Sequence, residues 1–596
     1  MAMATARVMP LWTWGGRYRR RVELGGLALL VGAGAGLGAV GFRYLILGLT
    51  RLLTGFDDYA AHPGAAHPGL PGLGRWFVLL TPVLAGLVYG PLVQRFAREA
   101  RGHGVPEVML AVARSGGRIR PQVAVVKAVA SALCIGGGGS VGREGPIVQI
   151  GSALGSSLAQ LFRLDEARIR LLVACGAAGG IAATFNAPLA GVFFAMELIL
   201  RAWTVEAFGL VVVSSVTASV IGRAALGDEP FLRLPAFTVG HLVQYPLFAL
   251  LGVVAGLVGV GFSRVLYLVE DVCDHVWRGP EWLRPAVGGL LLGGVLVALP
   301  QLYGVGYPVL GRAVAGGYAI GFLLVLLVGK MIACSLTIGI GGSGGVFAPG
   351  LFCGAMAGAA FGDVVHLVLP GAGGSVGAYA LVGMGAVFAG AARAPITAVV
   401  IMFELTGEYS IILPLMLAIV LATAVSRLVS ADTIYTRKLL RRGIDLDAPA
   451  EPELATRPVQ MIMGPAPEPV RAGTGLRELA DRLATGTTPT VPVVDGDDRL
   501  LGVLDTRQVL DALAAGEDSD PLDLCRLVDP LEPDAPVSTA IRLIDDGLGA
   551  VPIAQGATLV GWVTQRDVLA AVAEAWRPAA PRDGVRGTAE AVPAHR

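Results

Sequence analysis

Charge is scarce in this 596-residue chain. Asp, Glu, Lys and Arg make up 15% of it, against about 25% in an ordinary soluble protein. They nearly cancel, to a net +1, so there is no electrostatic footprint for nucleic acid and none is expected as a partner. Cysteine is also scarce, with six residues each standing alone (Cys134, Cys175, Cys273, Cys334, Cys353, Cys525). Without a C-x-x-C pair, neither a metal site nor a disulfide framework is signalled; the cysteines read as small buried hydrophobes. The run "IGGGGS" (Ile135–Ser140) lacks the Gly-Lys-Ser/Thr of a phosphate loop. No acidic cluster lines the apolar stretches, which counts against a cation transporter.

Apolar residues and glycine are abundant. The chain is 54% hydrophobic and has 84 glycines, about double the usual ~7% share, as expected where helices pack closely in lipid. From about Leu24 to Val429 it is a series of apolar runs such as "LGGLALLVGAGAGLGAVGFRYLILGL". Many are long enough for a ~30 Å hydrocarbon core, which takes about 20 residues. Others, such as "GPIVQIGSALGSSLAQLF", are short and broken by Gly or Pro. The first run outlasts the about 7–15 residues of a signal-peptide core, so it is read as retained. Arg17, Arg19, Arg20 and Arg21 before it, and "TRKLLRR" (Thr436–Arg442) after the last run, place both ends in the cytoplasm and imply an even number of crossings. A membrane domain is expected over 23–440, behind an N-terminal cytoplasmic segment 1–22.

Beyond Asp445 the chemistry changes. A polar, Pro-rich linker over 441–456 leads to two similar units, 457–515 and 524–575. Each has a short apolar strand (Thr490–Val494; Ala550–Ala554), a turn, a second strand and a helix, so the pair reads as one soluble α/β module. The tail over 576–596, rich in Ala, Pro and Arg, is expected to be disordered.

The membrane part repeats itself. "GSVGREGPIVQIG" (Gly139–Gly151) aligns without gaps on "GSGGVFAPGLFCG" (Gly342–Gly354), and "APLAGVFFAMEL" (Ala187–Leu198) on "APITAVVIMFEL" (Ala394–Leu405). The offsets are 203 and 207 residues, from 342 − 139 and 394 − 187, so two halves of about 23–225 and 240–440 are duplicated as wholes. Duplicated halves with broken helices are the pattern of an inverted-repeat transporter, whose substrate site lies near mid-membrane. Gly145-Pro146 and Ala348-Pro349 read as helix starts, since Pro suits a first turn; "GHGVPEVM" (Gly102–Met109) is a third. Such starts present N–H groups and partial positive charge, which suits an anion without a full cation.

These segments resemble the CLC family of chloride channels and proton–chloride antiporters. The family's motifs G-S-G-I-P, G-R-E-G-P and G-x-F-x-P match Gly102–Pro106, Gly142–Pro146 and Gly345–Pro349 in order and spacing, and its tyrosine after the last membrane helix matches Tyr435. The C-terminal units resemble CBS domains. The resemblance implies an all-α multi-pass membrane protein of CLC type followed by a cytoplasmic CBS pair. It further implies a homodimer in the cell membrane with one anion path per subunit and no enzymatic activity. Its anion-binding residues would be Gly102, His103, Gly104, Val105, Gly345, Val346, Phe347 and Tyr435. The substrates are then chloride or a similar monovalent anion, and protons.

A lone buried glutamate defaults to function in a membrane, and a carboxylate is itself an anion. By resemblance Glu144 is the gate and proton acceptor: ionised it plugs the path, protonated it swings away. Arg143 reads as structural. Lys127, deep in "AVVKAVASAL", either lends positive potential to the path or snorkels. Two positions depart from the family: His103 stands where a serine coordinates the ion, and Leu198 stands where antiporters carry an inner proton-transfer glutamate. Glu197 and its repeat mate Glu404 read as structural carboxylates, so His103 or a water chain would have to carry the proton inward. Passive chloride conductance is the alternative to exchange; a nucleotide sensor with a vestigial membrane part is more remote. Transport requires no cofactor. In the CBS pair, "GWVTQRD" (Gly561–Asp567) keeps the pattern that holds an adenosine, which points to Thr564 and Asp567 for an adenine nucleotide; a purely structural pair is the other reading. In the first unit Asp505 and Gln508 stand at those places.

Overall fold

In hydrocarbon each N–H and C=O must be satisfied within its own segment, so the apolar runs fold as helices. The computed structural model describes residues 12–227, 242–370, 374–446, 454 and 456–575, the last range without 472, 486–489, 498, 517–519, 546–547 and 557. Half of the expected linker and the whole tail from Trp576 lie outside these residues. The chain forms two units, Met1–Leu446 and Asp447–Arg596.

Among the described residues of the first unit, seven helices are long and apolar enough to cross a membrane. The bent pair Pro71–Leu79 and Thr81–Phe96 would make an eighth. The first helix, Trp12–Thr54, begins inside the stretch read as an N-terminal segment. Its apolar part, Val22–Thr54, has 33 residues, as does Gln244–Val276. At 1.5 Å per residue each is about 50 Å long, more than a ~30 Å core holds upright, so they tilt or protrude. Other helices are much too short: Val105–Arg114 has 10 residues and Tyr307–Val314 has 8. About 15 Å of helix or less cannot span the core, and the start of Val105–Arg114 helps build the site.

The duplication extends to individual bonds. Lys127 on Gln122–Gly136 and Lys330 on Ile320–Gly339 are 203 residues apart and both fully buried. Lys127 donates to the carbonyls of Ala100 (2.9 Å) and Gly102 (2.8 Å). Lys330 donates to those of Gly304 (2.9 Å) and Val305 (3.1 Å) and to the Ser140 hydroxyl (2.9 Å). The halves also cap one another. Glu197 accepts from the N–H groups of Ile396 and Thr397 (3.2 and 2.8 Å) at the start of Pro395–Thr406. Glu404 accepts from Leu189 and Ala190 (2.9 and 2.7 Å) at the start of Pro188–Phe194. Both helices open with proline, and each exposed row of N–H groups is answered by a carboxylate from the other half.

In the second unit, Val470–Arg471, Thr490–Val494 and Leu500–Asp505 form one sheet in that order, parallel then antiparallel. Ala550–Gln555 pairs antiparallel with Thr558–Thr564. Both antiparallel pairs shift register at the same repeat position, Val493/Val494 and Ile553/Ala554. Gly464, near the start of the first repeat, exchanges two backbone bonds with Trp562 of the second (2.9 and 3.0 Å), and Arg526, near the start of the second, does so with Val503 of the first (2.9 Å each). Each repeat completes the other's sheet, which makes the pair one module.

Candidate functional site

Three helices start at one place. Gly104 caps Val105–Arg114, Arg143 precedes Glu144–Leu161, and Val346 precedes Phe347–Val368. Backbone pairs join their loops. Gly142 and Gly345 exchange both bonds, at 2.8 and 2.7 Å. Gly102 donates to Gly342 (2.9 Å) and accepts from Gly344 (3.3 Å). The three motifs, spread over more than two hundred residues, therefore form one cradle of N–H groups, the arrangement that favours an anion.

Glu144 sits in this cradle, 2% exposed. One carboxyl oxygen accepts from the N–H of Ala348 at 2.9 Å, in the first turn of the helix from the other half. The other oxygen is buried with no hydrogen-bond partner among the described residues. The carboxyl lies against Gly142 and Gly345, where a Cβ on either would collide with it. Behind it, a Cβ on Gly145 would collide with the carbonyl oxygen of His103 and come within 3.0 Å of the Gly345 Cα. Only glycine lets these backbones approach so closely.

On the far side of the cradle lie His103 and Tyr435, 1% and 2% exposed. The imidazole is 6.2 Å from the Tyr435 ring and 6.5 Å, edge-on, from Tyr267. Neither ring nitrogen has a hydrogen-bond partner among the described residues. Tyr435 precedes Thr436–Leu440, and its segment is braced by the Tyr267 hydroxyl donating to Ile434 (2.7 Å) and by Ile434 donating to Ala391 (2.9 Å). Phe347 packs its ring between Phe185 and Phe388, at 5.6 and 4.6 Å. Lys127 does not snorkel: its ammonium fixes the Gly102 loop from behind, as described above. Leu198 is 6% exposed and lies in a π-helical turn, Ala195–Leu200. Glu107, in the first turn of Val105–Arg114, pairs with Lys438 (3.4 Å) and Arg442 (3.0 Å) of the Tyr435 segment.

Sequence reading did not single out Lys330 or Tyr267. Applying the 203-residue offset to Lys127 would have found Lys330. Tyr267 is one aromatic on a long apolar helix and carries no signal.

In the soluble unit, Asp567 accepts from both the N–H (2.8 Å) and the hydroxyl (2.6 Å) of Thr564, closing the start of Gln565–Ala575. Asp505 and Gln508 form a capping box on Thr506–Ala515. A cavity of about 860 Å³ near Arg471 and Arg499 is not lined by Thr564 or Asp567.

Comparison with known proteins adds the following. A family model described as voltage gated chloride channel matches residues 85–427, and CBS domain models match 459–515 and 528–574. A chloride channel protein of Ralstonia nicotianae, described as ClcB-like, is 33% identical over 425 residues, covering 70% of this chain and 97% of that protein. The H+/Cl− exchange transporter ClcA of Vibrio cholerae is 35% identical over 428 residues, covering 70% and 88%. The crystal structure of a slow cyanobacterial Cl−/H+ antiporter aligns with a TM-score of 0.63 at 26% identity, covering 70% of this chain and 97% of that one.

Proposed function

The chain belongs to the voltage-gated chloride channel family, and on that premise we propose that it exchanges chloride for protons across a membrane. It is an integral multi-pass membrane protein with a C-terminal CBS pair. The observation that carries the exchange reading is the seat of Glu144. An ionised carboxyl there occupies helix-start N–H groups that suit an anion, while its second oxygen is buried without a partner, which is costly. Protonation or a competing anion relieves that cost, so the ionised carboxyl and the anion become alternative occupants of one site, and proton uptake is linked to anion access. The N–H groups of His103–Val105 and Val346–Phe347, with the Gly102, Gly104 and Gly345 backbone and the Tyr435 hydroxyl, are the anion contacts in this reading. Purified protein in liposomes tests it: an imposed chloride gradient should drive protons uphill.

Leu198 favours a second reading, passive conductance, because it offers no inner proton acceptor. Chloride flux that never moves protons against their gradient would select that reading.

His103 gives the site its own selectivity. A neutral imidazole donates one N–H to an anion, and its unpaired nitrogens between Tyr267 and Tyr435 support that use. Replacing it with serine should change the nitrate-to-chloride flux ratio by about threefold or more, roughly the value of one altered hydrogen bond. Ratios for nitrate and bromide that stay constant in His103→Ser assign the ring to packing.

The protein is read as a homodimer in the cell membrane with both ends cytoplasmic. The similar exposure of Leu189 and Ile396 (47% and 44%), in the first turns of the two cross-capped helices, supports paired faces for a second copy. For the CBS pair we assign an adenine nucleotide at Thr564 and Asp567, the Asp567 carboxylate accepting from ribose hydroxyls and the Thr564 hydroxyl, at a helix start, donating to the phosphate or the sugar. Millimolar ATP, ADP or AMP should raise the unfolding temperature of the C-terminal unit in the full-length protein by about 2–5 °C, and Asp567→Ala should abolish the shift. Absence of any shift leaves Thr564 and Asp567 as a helix cap.

A further inference from the structure

In the sequence, "TRKLLRR" (Thr436–Arg442) marks an end of the membrane domain. In the structure each of its four cations has a set partner. Arg437 and Arg441 stand four residues apart, as do Lys438 and Arg442, so the helix Thr436–Leu440 and the turn after it carry two basic faces. The first meets the helix Gln244–Val276. There the Arg437 and Arg441 guanidiniums lie over the Tyr267 ring at 5.6 and 5.3 Å, and Arg441 pairs with Glu270 (3.7 Å) and Asp271. The second meets Val105–Arg114. One Glu107 oxygen pairs with Lys438 (3.4 Å) and Arg442 (3.0 Å), and the other accepts from Arg442 at 3.2 Å.

These pairs reach into the site. Glu107 lies in the first turn of the helix that begins at the cradle. Lys438 lies against the loop ahead of that helix, where a Cβ on Gly102 would come within 2.8 Å of its ammonium nitrogen. Tyr435 immediately precedes the basic run. The Glu107 pairs therefore fix the spacing between His103 and Tyr435, whose rings are 6.2 Å apart. Tyr267 and the acids beside it pin the same segment from the other side, to a helix that carries none of the three motifs. Glu107 and Lys438 are 11% and 13% exposed. An ion pair in water contributes little to geometry, but breaking one that is largely out of water leaves a charge uncompensated.

Resting on the transport reading above, we propose that Glu107 is a positioning residue of the anion site: with Lys438 and Arg442 it latches the His103 loop to the Tyr435 segment and sets the width of the path between them. The latch acts on chloride through His103 and Tyr435, at the spacing it imposes. A latch and a mere field of charge have different consequences. Glu107→Lys makes this face more positive by two charges, and Lys438→Glu makes it more negative by two. A field alone would strengthen chloride binding in the first and weaken it in the second. Either reversal breaks the latch, so both weaken binding.

Chloride uptake into right-side-out and everted vesicles of the full-length protein tests this, with chloride varied in each. Each single reversal should raise the half-saturating chloride about three- to tenfold from the face of Tyr435, with a smaller change in maximal rate, and the Glu107→Lys/Lys438→Glu double variant should return it to within about twofold. Glu107→Gln keeps the shape of the side chain and should shift it in the same direction, which keeps the test decisive where a reversed charge prevents folding. Opposite shifts in the two reversals overturn the proposal, as does a double variant no better than the worse single. So does an unshifted Glu107→Gln, or a shift equal from both faces. Unaltered protein that moves no chloride at all would instead overturn the transport reading.

Discussion

In Glu144→Gln, chloride flux should persist while proton movement falls to background, a loss of about 100-fold or more. The amide has the size of the protonated acid but never releases a proton, so the proton half of the cycle has no carrier. The anion half is spared because the barrier it met was charge. Two like charges about 4 Å apart at an effective dielectric of 20 repel by about 4 kcal/mol. Removing that repulsion from a seat beside Gly142 and Gly345 leaves the path permanently in its protonated form. Proteoliposomes read by chloride and pH electrodes together make the measurement. Protons still driven uphill in Glu144→Gln would place the coupling on another residue, with His103 the next to be replaced.

The second large effect is expected from a single methyl group. Gly145→Ala sets a Cβ against the His103 carbonyl and within 3.0 Å of the Gly345 Cα. Both neighbours are backbone, so no side chain can turn aside. Overpacking of this kind costs about 1–3 kcal/mol, and the relaxation it forces separates the starts of Val105–Arg114 and Glu144–Leu161. Chloride affinity measured by calorimetry should fall about tenfold or more, with a lower unfolding temperature. Gly26→Ala is the control, because a Cβ there meets nothing within 4 Å. If Gly145→Ala binds chloride as tightly as the unaltered protein, the close approach of these backbones does not set the site.

The motifs around His103, Glu144 and Phe347 were legible because glycine and proline at helix starts are local signals, and because a duplication shows itself at a constant offset. The pairing between the copies was not. Nothing near Gly142 in sequence says that its N–H and carbonyl will meet those of Gly345, since the partner is fixed only by how the halves fold together. Glu197 shows the same limit. A structural role could be read from its apolar surroundings, but the burial expected with it is only partial, and the two N–H groups it holds belong to the start of Pro395–Thr406. The open alternative at Lys127 needed its acceptors, Ala100 and Gly102, before it closed. At Thr564 and Asp567 the sequence pattern is shared by a helix cap and a nucleotide contact, so the pattern alone cannot separate them.

The Gly142–Gly345 exchange has a consequence for how such a chain arises and is made. A solitary first half would carry its Gly142 edge, its Glu197 carboxylate and the opened start of Pro188–Phe194 into lipid with nothing to answer them. An ancestor of half this length could have finished its interior only by meeting a copy inserted upside down. The fused chain keeps that dependence as an order of events during biosynthesis. The early half waits in the bilayer, incomplete at its centre, until translation delivers the stretch from Gly342 to Glu404.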